Sequence, residues 1–163
     1  MEKRLAKGGV RWYTEEESNI CTRGGEPMTL ILCVDDRGGL SFNGRRQSQD
    51  RRVREDLLTM ATGGALWMDD YSRRQFTEPE AAAIRVDRDP AARAAEGDGL
   101  CLLELQDPEA ALERADRLVL YRWGRHYPAD RRLDLPPAGW RLEGQTEFPG
   151  RSHDMITKEI YVK

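Results

Sequence analysis

The run TLILCV (29–34) is apolar at five of its six positions and is followed directly by the turn-forming DDRGG. A short continuous apolar run ended by turn residues is the pattern of a strand buried on both faces. Beyond that turn the period changes. Val53, Leu57, Leu58 and Ala61 recur at helical spacing, and Ser48 and Asp50 ahead of them are both good caps, so a helix is expected from one of these residues to the stop at Gly63-Gly64. Arg51 with Glu55 and Arg52 with Asp56 fall at i,i+4 on its outer side and are expected to pair there. ALWM (65–68) predicts a second strand followed by the helical turn DYSRRQF, AAIRV (82–86) a third strand and LCLLEL (100–105) a fourth. After Pro108 the segment EAALERA reads as a helix, then RLVLYRW (117–123) as a fifth strand. Trp140, Leu142, Gly144, Thr146 and Phe148 alternate with polar neighbours, as in a half-exposed antiparallel strand, and KEIYVK (158–163) supplies a last one. Strands alternating with helices and ending in a hairpin predict an α/β fold, with a mixed, mainly parallel sheet, a C-terminal antiparallel hairpin and flanking helices.

A chain of 163 residues with 39% hydrophobic content is the size of one domain with one core. Residues 1–27 are polar, mixed in charge and without sustained period, and are expected to be a disordered extension outside that core. The codons available to Arg23 through Met28 can also spell a ribosome-binding core just ahead of Met28, which would make Met28 the native start and residues 1–27 lie upstream of it. The single domain then spans 28–163. No apolar run reaches the roughly 20 residues that a membrane helix needs, and MEKRLAKGGVRWYTEEE lacks the apolar region of a secretory signal, so a cytoplasmic protein is expected.

Charge changes the picture only locally. Against 29 Asp and Glu stand 26 Lys and Arg, leaving a net charge of -3 that argues neither for nor against a polyanionic partner. Five arginines, at 45, 46, 51, 52 and 54, nonetheless fall within ten positions. Three readings stay open for them: a solvated charged face, a contact to an anionic small molecule, or a nucleic-acid-binding arm. Arg45 and Arg46, outside the helix pairs, are expected to be the freest cations. Cys21, Cys33 and Cys101 form no CxxC pair, and Cys33 and Cys101 sit in apolar runs, so they read as small buried hydrophobes. With only His126 and His153 available, a His-rich metal centre is excluded and no metal site is expected. His153 and Asp154 stand in a Ser- and Gly-containing stretch and read as the turn of the terminal hairpin, with acid–base work as the alternative. Trp67, Trp123 and Trp140 read as packing residues.

Taken in order, LCVDDRGGLSFN, SQDRRVREDLL and LWMDDYS, then ADRLVLYRW, YPAD, LDL, GWRL and SHDMITKEIY, resemble the dihydrofolate reductases across roughly the whole of 29–163. The resemblance implies that family's fold. It implies that Asp50 stands near the family's substrate-binding carboxylate, which grips the amino-nitrogen edge of a pterin and assists its protonation, although an Asp at a helix start is also simply a cap. It places Phe42 and Asn43 nearest to the family's loop Trp and Pro, and Ser72 on a family hydroxyl, with Arg45 and Arg46 in a loop that borders the substrate cleft. Two cofactor features differ. Leu103-Glu104-Leu105 stand where the family has paired glycines, and Asp69-Asp70 where it has the Gly-Arg pair that meets a cofactor phosphate; side chains and carboxylates both oppose a phosphate.

The reading that follows is a divergent dihydrofolate reductase-like domain that binds a small heteroaromatic or anionic ligand without standard NADPH-dependent chemistry. Asp50 would meet the ligand's polar edge, Arg45 and Arg46 its charge, Phe42 and Asn43 its ring, and Ser72 a further polar group. The alternatives are an active NADPH-dependent reductase of a pterin-like substrate and an RNA-associated protein using the arginine-rich loop. A fainter resemblance, to short Firmicutes proteins that carry the ribonuclease Z label, implies a bacterial source and an RNA partner. That nuclease's HxHxDH cluster has no counterpart around His126 (GRHYP) or His153 (RSHDM). Cofactor and oligomeric state stay open.

Overall fold

The computed structural model describes residues 3–5, 12–14 and 28–163 apart from Asp98. Two short strands, β1 (Lys3–Leu5) and β2 (Trp12–Thr14), pair antiparallel; the rest of the expected extension lies outside the described residues. The main sheet contains β3 (Thr29–Val34), β6 (Leu66–Met68), β7 (Arg85–Val86), β8 (Leu100–Leu102), β9 (Arg117–Arg122), β11 (Arg141–Phe148) and β12 (Ile156–Val162), in the order β11-β12-β9-β3-β8-β6-β7. From β9 to β7 neighbours run parallel, while β12 is antiparallel to both β9 and β11. The mixed, mainly parallel sheet with a C-terminal hairpin is therefore present. A separate small sheet holds β4 (Gly39–Phe42) between β5 (Arg45–Arg46) and β10 (Arg131–Arg132).

Both faces of the main sheet are covered, which is why β3 needs no polar alternation. Leu30, Leu32 and Val34 pack with Ala91 and Ala94 of α3 (Pro90–Ala95), Ala111 of α4 (Glu109–Arg114), Leu118 and Leu120. Ile31 faces the other way, onto Val53, Leu57 and Leu58 of α1 (Arg51–Met60), with Val119, Tyr121 and Trp123. Among the described residues no helix is long and apolar enough to cross a membrane.

Several elements differ from their sequence patterns. Only Arg85–Val86 of the expected strand at 82–86 joins the sheet, because Pro79–Ala83 winds into a 3-10 turn that Pro79 opens. The run LCLLEL leaves the sheet after Leu102, which turns Glu104 away from the ladder. Helix α3 was not expected, yet Asp89 caps it through the Ala92 N–H (3.2 Å) and Pro90 opens it. In β11 a register shift between Leu142 and Gly144 breaks the alternation and leaves Leu142 47% exposed. The two expected helix pairs do not form either. Asp56 instead accepts from the Tyr121 hydroxyl (2.5 Å) and pairs with Lys158 Nζ (2.8 Å), while Arg52 lies over the Phe148 ring. An exposed i,i+4 pair contributes only a few tenths of a kcal/mol, so partners reached across the core prevail.

Candidate functional site

The site is built on the β4–β5 hairpin. Phe42 stands opposite Arg45 and Ser41 opposite Arg46, joined by Asn43-Gly44 with φ of +53° and +69°. Two successive left-handed residues make a type I′ turn, whose twist suits a tight antiparallel pair and which an Asn-Gly sequence favours. Opposed residues share a face, so Phe42 and Arg45 project together. With Tyr127 and Pro128, this hairpin encloses a cavity of about 300 Å³ lined by Phe42, Asn43, Arg45, Arg46, Gln47, Tyr127 and Pro128. Four of the six residues expected at a ligand site thus line one cavity; Asp50 and Ser72 do not. Phe42 is half exposed, and Arg45 has no ion-pair partner among the described residues. Gln47 Nε2 donates to Asp35 Oδ2 (3.1 Å) and to the Pro128 carbonyl (3.3 Å), while its buried Oε1 has no partner among the described residues.

The expectation that Arg46 is as free as Arg45 is corrected. Its Nε donates to both oxygens of Glu104 (3.2 and 3.0 Å), its guanidinium lies 4.4 Å from the centre of the Tyr71 ring, and its backbone N–H donates to the Tyr71 hydroxyl (3.0 Å). Gln75 Nε2 completes the Glu104 carboxylate at 3.0 Å. This network joins the hairpin to the carboxyl end of β8 and to the short helix α2 (Asp70–Arg73). Asp69 caps that helix through the Ser72 N–H (2.9 Å) and also accepts from Gln106 Nε2 (3.1 Å). Ser72 is buried, and its hydroxyl has no partner among the described residues. Outside this network lies a second cleft, of about 540 Å³, lined by Asp69, Asp70, Tyr71, Val86, Asp87, Arg88 and Gln106. Three carboxylates against one guanidinium make it unfavourable to anions.

Two carboxylates hold the loops around the cavity, and sequence reasoning singled out only one. Asp35, at the end of β3, is fully buried and accepts from the N–H groups of Arg37 (2.8 Å), Gly39 (2.8 Å) and Tyr127 (3.0 Å). Burial pushes its pKa up, but these donors and Gln47 outweigh that and leave it below the ordinary value. Asp50 caps α1 through the Arg52 N–H (2.9 Å) and, though only 2% exposed, accepts as well from the Arg151 N–H (3.0 Å), the Ser152 N–H (2.8 Å), the Ser152 hydroxyl (3.0 Å) and His153 Nδ1 (2.9 Å). Burial again works upward, and the Arg151 N–H, His153, Ser152 and Arg52 donors overcome it, holding the carboxyl well below the usual carboxylate range. Gly150 permits the approach, since a Cβ there would stand 2.6 Å from Asp50 Oδ2.

His153 itself is buried and stacked on Trp123, with centroids 4.6 Å apart and rings inclined 21°. Its Nε2 meets the Tyr127 hydroxyl at 2.8 Å and Ser48 Oγ at 3.1 Å. His153 lies in the connection between β11 and β12, as expected of the terminal hairpin's turn, and that connection folds back to bring its ring beside Tyr127 of the cavity lining. Nothing in the linear pattern connects Ser48, Tyr127 and His153, which lie on three separate segments. Cys21 lies outside the described residues; of the other two thiols, burial pushes Cys101 up to about 12, and burial with Glu104 adding to it raises the partly buried Cys33 as well, which disfavours the reactive thiolate. Among the described residues no three His, Cys, Asp or Glu side chains converge as a metal site.

No protein-family profile matches the chain, and no curated protein matches it. Among solved structures, a dihydrofolate reductase from Enterococcus faecalis, complexed with NADP(H) and RAB-propyl, superposes with a TM-score of 0.55 at 12% identity, covering 83% of this chain and 95% of that one. The chain has a dihydrofolate reductase-like fold.

Proposed function

We propose that this dihydrofolate reductase-like domain binds a small anionic molecule with a flat ring in the cavity beside the Asn43-Gly44 turn, without the usual use of a nicotinamide dinucleotide. The observation that carries this is the pairing of Phe42 and Arg45 on one face of a rigid hairpin at the cavity's rim. A ring packs on Phe42, its charge meets Arg45, Asn43 contributes a polar edge, and the unpartnered Oε1 of Gln47 accepts from a donor on the ligand. Arg46 lends the cavity wall its shape while its charge is shared with Glu104. Asp50 acts at one remove, through His153, because its oxygens are already committed.

Two features support a departure from reductase chemistry. Glu104 occupies the segment where the resemblance puts bare glycine backbone, and Asp69 heads the acidic cleft where it puts a phosphate-binding arginine. A buried carboxylate fixed by Arg46 and Gln75 cannot withdraw without breaking that network. The arginine-rich stretch also offers less to a nucleic acid than its composition suggests, since Arg46 pairs with Glu104, Arg54 with Glu78, and Arg52 covers Phe148.

The test is a titration with a fluorescent aromatic carboxylate, 2-aminobenzoate, alongside NADPH, combined with native mass spectrometry of protein purified from its host. Saturable carboxylate binding that weakens about tenfold or more in Arg45→Ala is expected, the worth of one charge-assisted contact. Micromolar NADPH binding with hydride transfer to dihydrofolate would replace this reading by a true reductase.

A further inference from the structure

Beside the ligand cavity, two segments about a hundred positions apart in sequence bring together a hydroxyl, an imidazole and a carboxylate in line. Ser48 Oγ lies 3.1 Å from His153 Nε2, and His153 Nδ1 lies 2.9 Å from Asp50 Oδ2. We propose that Ser48 is the nucleophile of an acyl-transfer site that hydrolyses a small ester with an anionic, flat acyl group, with His153 as its base and Asp50 as the residue that positions the imidazole. The substrate class rests on the cavity reading above.

The geometry meets the requirements for activating a serine. Asp50 is ionised, so it fixes the tautomer with the proton on Nδ1 and leaves the Nε2 lone pair directed at the hydroxyls. Trp123 stacks on the imidazole and keeps its plane in place. The base is shielded and the nucleophile is only partly buried, adjacent in sequence to Gln47 of the cavity lining. Nε2 has one lone pair and two hydroxyls within reach, and the nearer is Tyr127 at 2.8 Å, itself 3.3 Å from Ser48 Oγ. Tyr127 lines the cavity. A substrate carbonyl oxygen arriving there accepts the phenolic hydrogen bond, and this frees Nε2 to take the Ser48 proton. The same phenol then stabilises the oxyanion, so the base is engaged only when the cavity is filled.

Ser48 Oγ attacks the carbonyl carbon, its proton passes to Nε2, and the carbonyl π pair moves onto oxygen. As that pair returns, the bond to the leaving alcohol breaks and Nε2–H protonates the departing oxygen, leaving acyl-Ser48. Water then attacks the acyl carbon with Nε2 as base, the bond to Ser48 Oγ breaks, and the acid leaves with Ser48 restored. Water is the only co-reactant.

The experiment treats the folded protein with a fluorophosphonate probe and maps the adduct by peptide mass spectrometry, with p-nitrophenyl acetate as a chromogenic ester. One phosphonate on Ser48, lost in Ser48→Ala and absent from guanidine-unfolded protein, together with ester turnover lost in the same variant, is expected. Ser48 is partly buried but lies outside the core, so Ser48→Ala should fold; circular dichroism checks this, and the unfolded-protein comparison on the wild type decides the matter independently of any variant. No adduct on the folded protein, equal labelling of folded and unfolded protein, or an adduct on another residue overturns the nucleophile. Labelling that 2-aminobenzoate competes away supports both proposals. Labelling untouched by it keeps Ser48 as nucleophile but overturns the anionic substrate class, whereas carboxylate binding without labelling overturns the nucleophile alone.

Discussion

Asp50→Ala is expected to cost far more than a helix cap. Truncating an N-cap Asp typically removes about 1 kcal/mol. Here the same carboxylate also receives the Arg151 and Ser152 N–H groups, the Ser152 hydroxyl and His153 Nδ1, all between 2.8 and 3.0 Å. Each hydrogen bond to a charged group contributes about 1.5–3 kcal/mol, and donors stranded in a site only 2% exposed find no replacement in water. Because these bonds share one acceptor they do not add in full, and a total of about 4 kcal/mol is expected. That is a large part of the roughly 5–15 kcal/mol by which domains are stable. Urea unfolding followed by tryptophan fluorescence measures it, with Trp123 stacked on His153 as a nearby reporter. A loss of about 1 kcal/mol or less would refute the clamp and leave Asp50 as a cap alone. The pH dependence has a definite sign. Asp50 and Asp35 both have lowered folded-state pKa values, so the stability they contribute is complete above the unfolded value of about 3.9 and is lost as pH falls toward the folded values. The wild-type urea midpoint should therefore drop steeply below about pH 4, and less steeply in the variant.

Gly150→Ala should act in the same direction without removing a charge, since its Cβ would press on Asp50 Oδ2, the His153 carbonyl and Ile156 Cδ1, all within 2.9 Å; an unchanged urea midpoint would contradict the packing described. Arg46→Ala should destabilise by about 3 kcal/mol, because it leaves the buried Glu104 carboxylate with Gln75 as its remaining side-chain donor, and Glu104→Leu combined with Arg46→Met should recover much of that loss in the same denaturation assay. Arg45→Ala, by contrast, should leave the midpoint within about 0.5 kcal/mol of wild type while weakening carboxylate binding, a separation that would fail if Arg45 were structural.

The sheet was largely legible because burial on two faces writes itself into the chain as unbroken apolar runs, as at 29–34 and 117–123. Helix α1 was legible from Val53, Leu57 and Leu58 together with Asp50 as its cap. What escaped was short or relational. The Asn43-Gly44 signal for a hairpin stands in the sequence but joins strands of only four and two residues, too brief for alternation to show. Phe42, Asn43, Arg45 and Arg46 were placed at a ligand site through loop position and resemblance, and they do line one cavity. His153 and Ser48 come together because Asp50 draws the terminal hairpin onto the helix start, and Asp35 holds the Tyr127 backbone beside them, contacts between residues about a hundred positions apart that no local pattern encodes.

A turn of two residues leaves the β4–β5 hairpin no slack in its bookkeeping of sides. Successive residues of a strand point to opposite faces, so adding or removing a single residue at Asn43-Gly44 would exchange the places of Arg45 and Arg46. The guanidinium now bonded to Glu104 would swing to the face that Phe42 occupies, and the one now beside Phe42 would be offered to a buried acid. The length of that loop, more than the presence of either arginine, decides which of them stands beside Phe42 and which is held by Glu104.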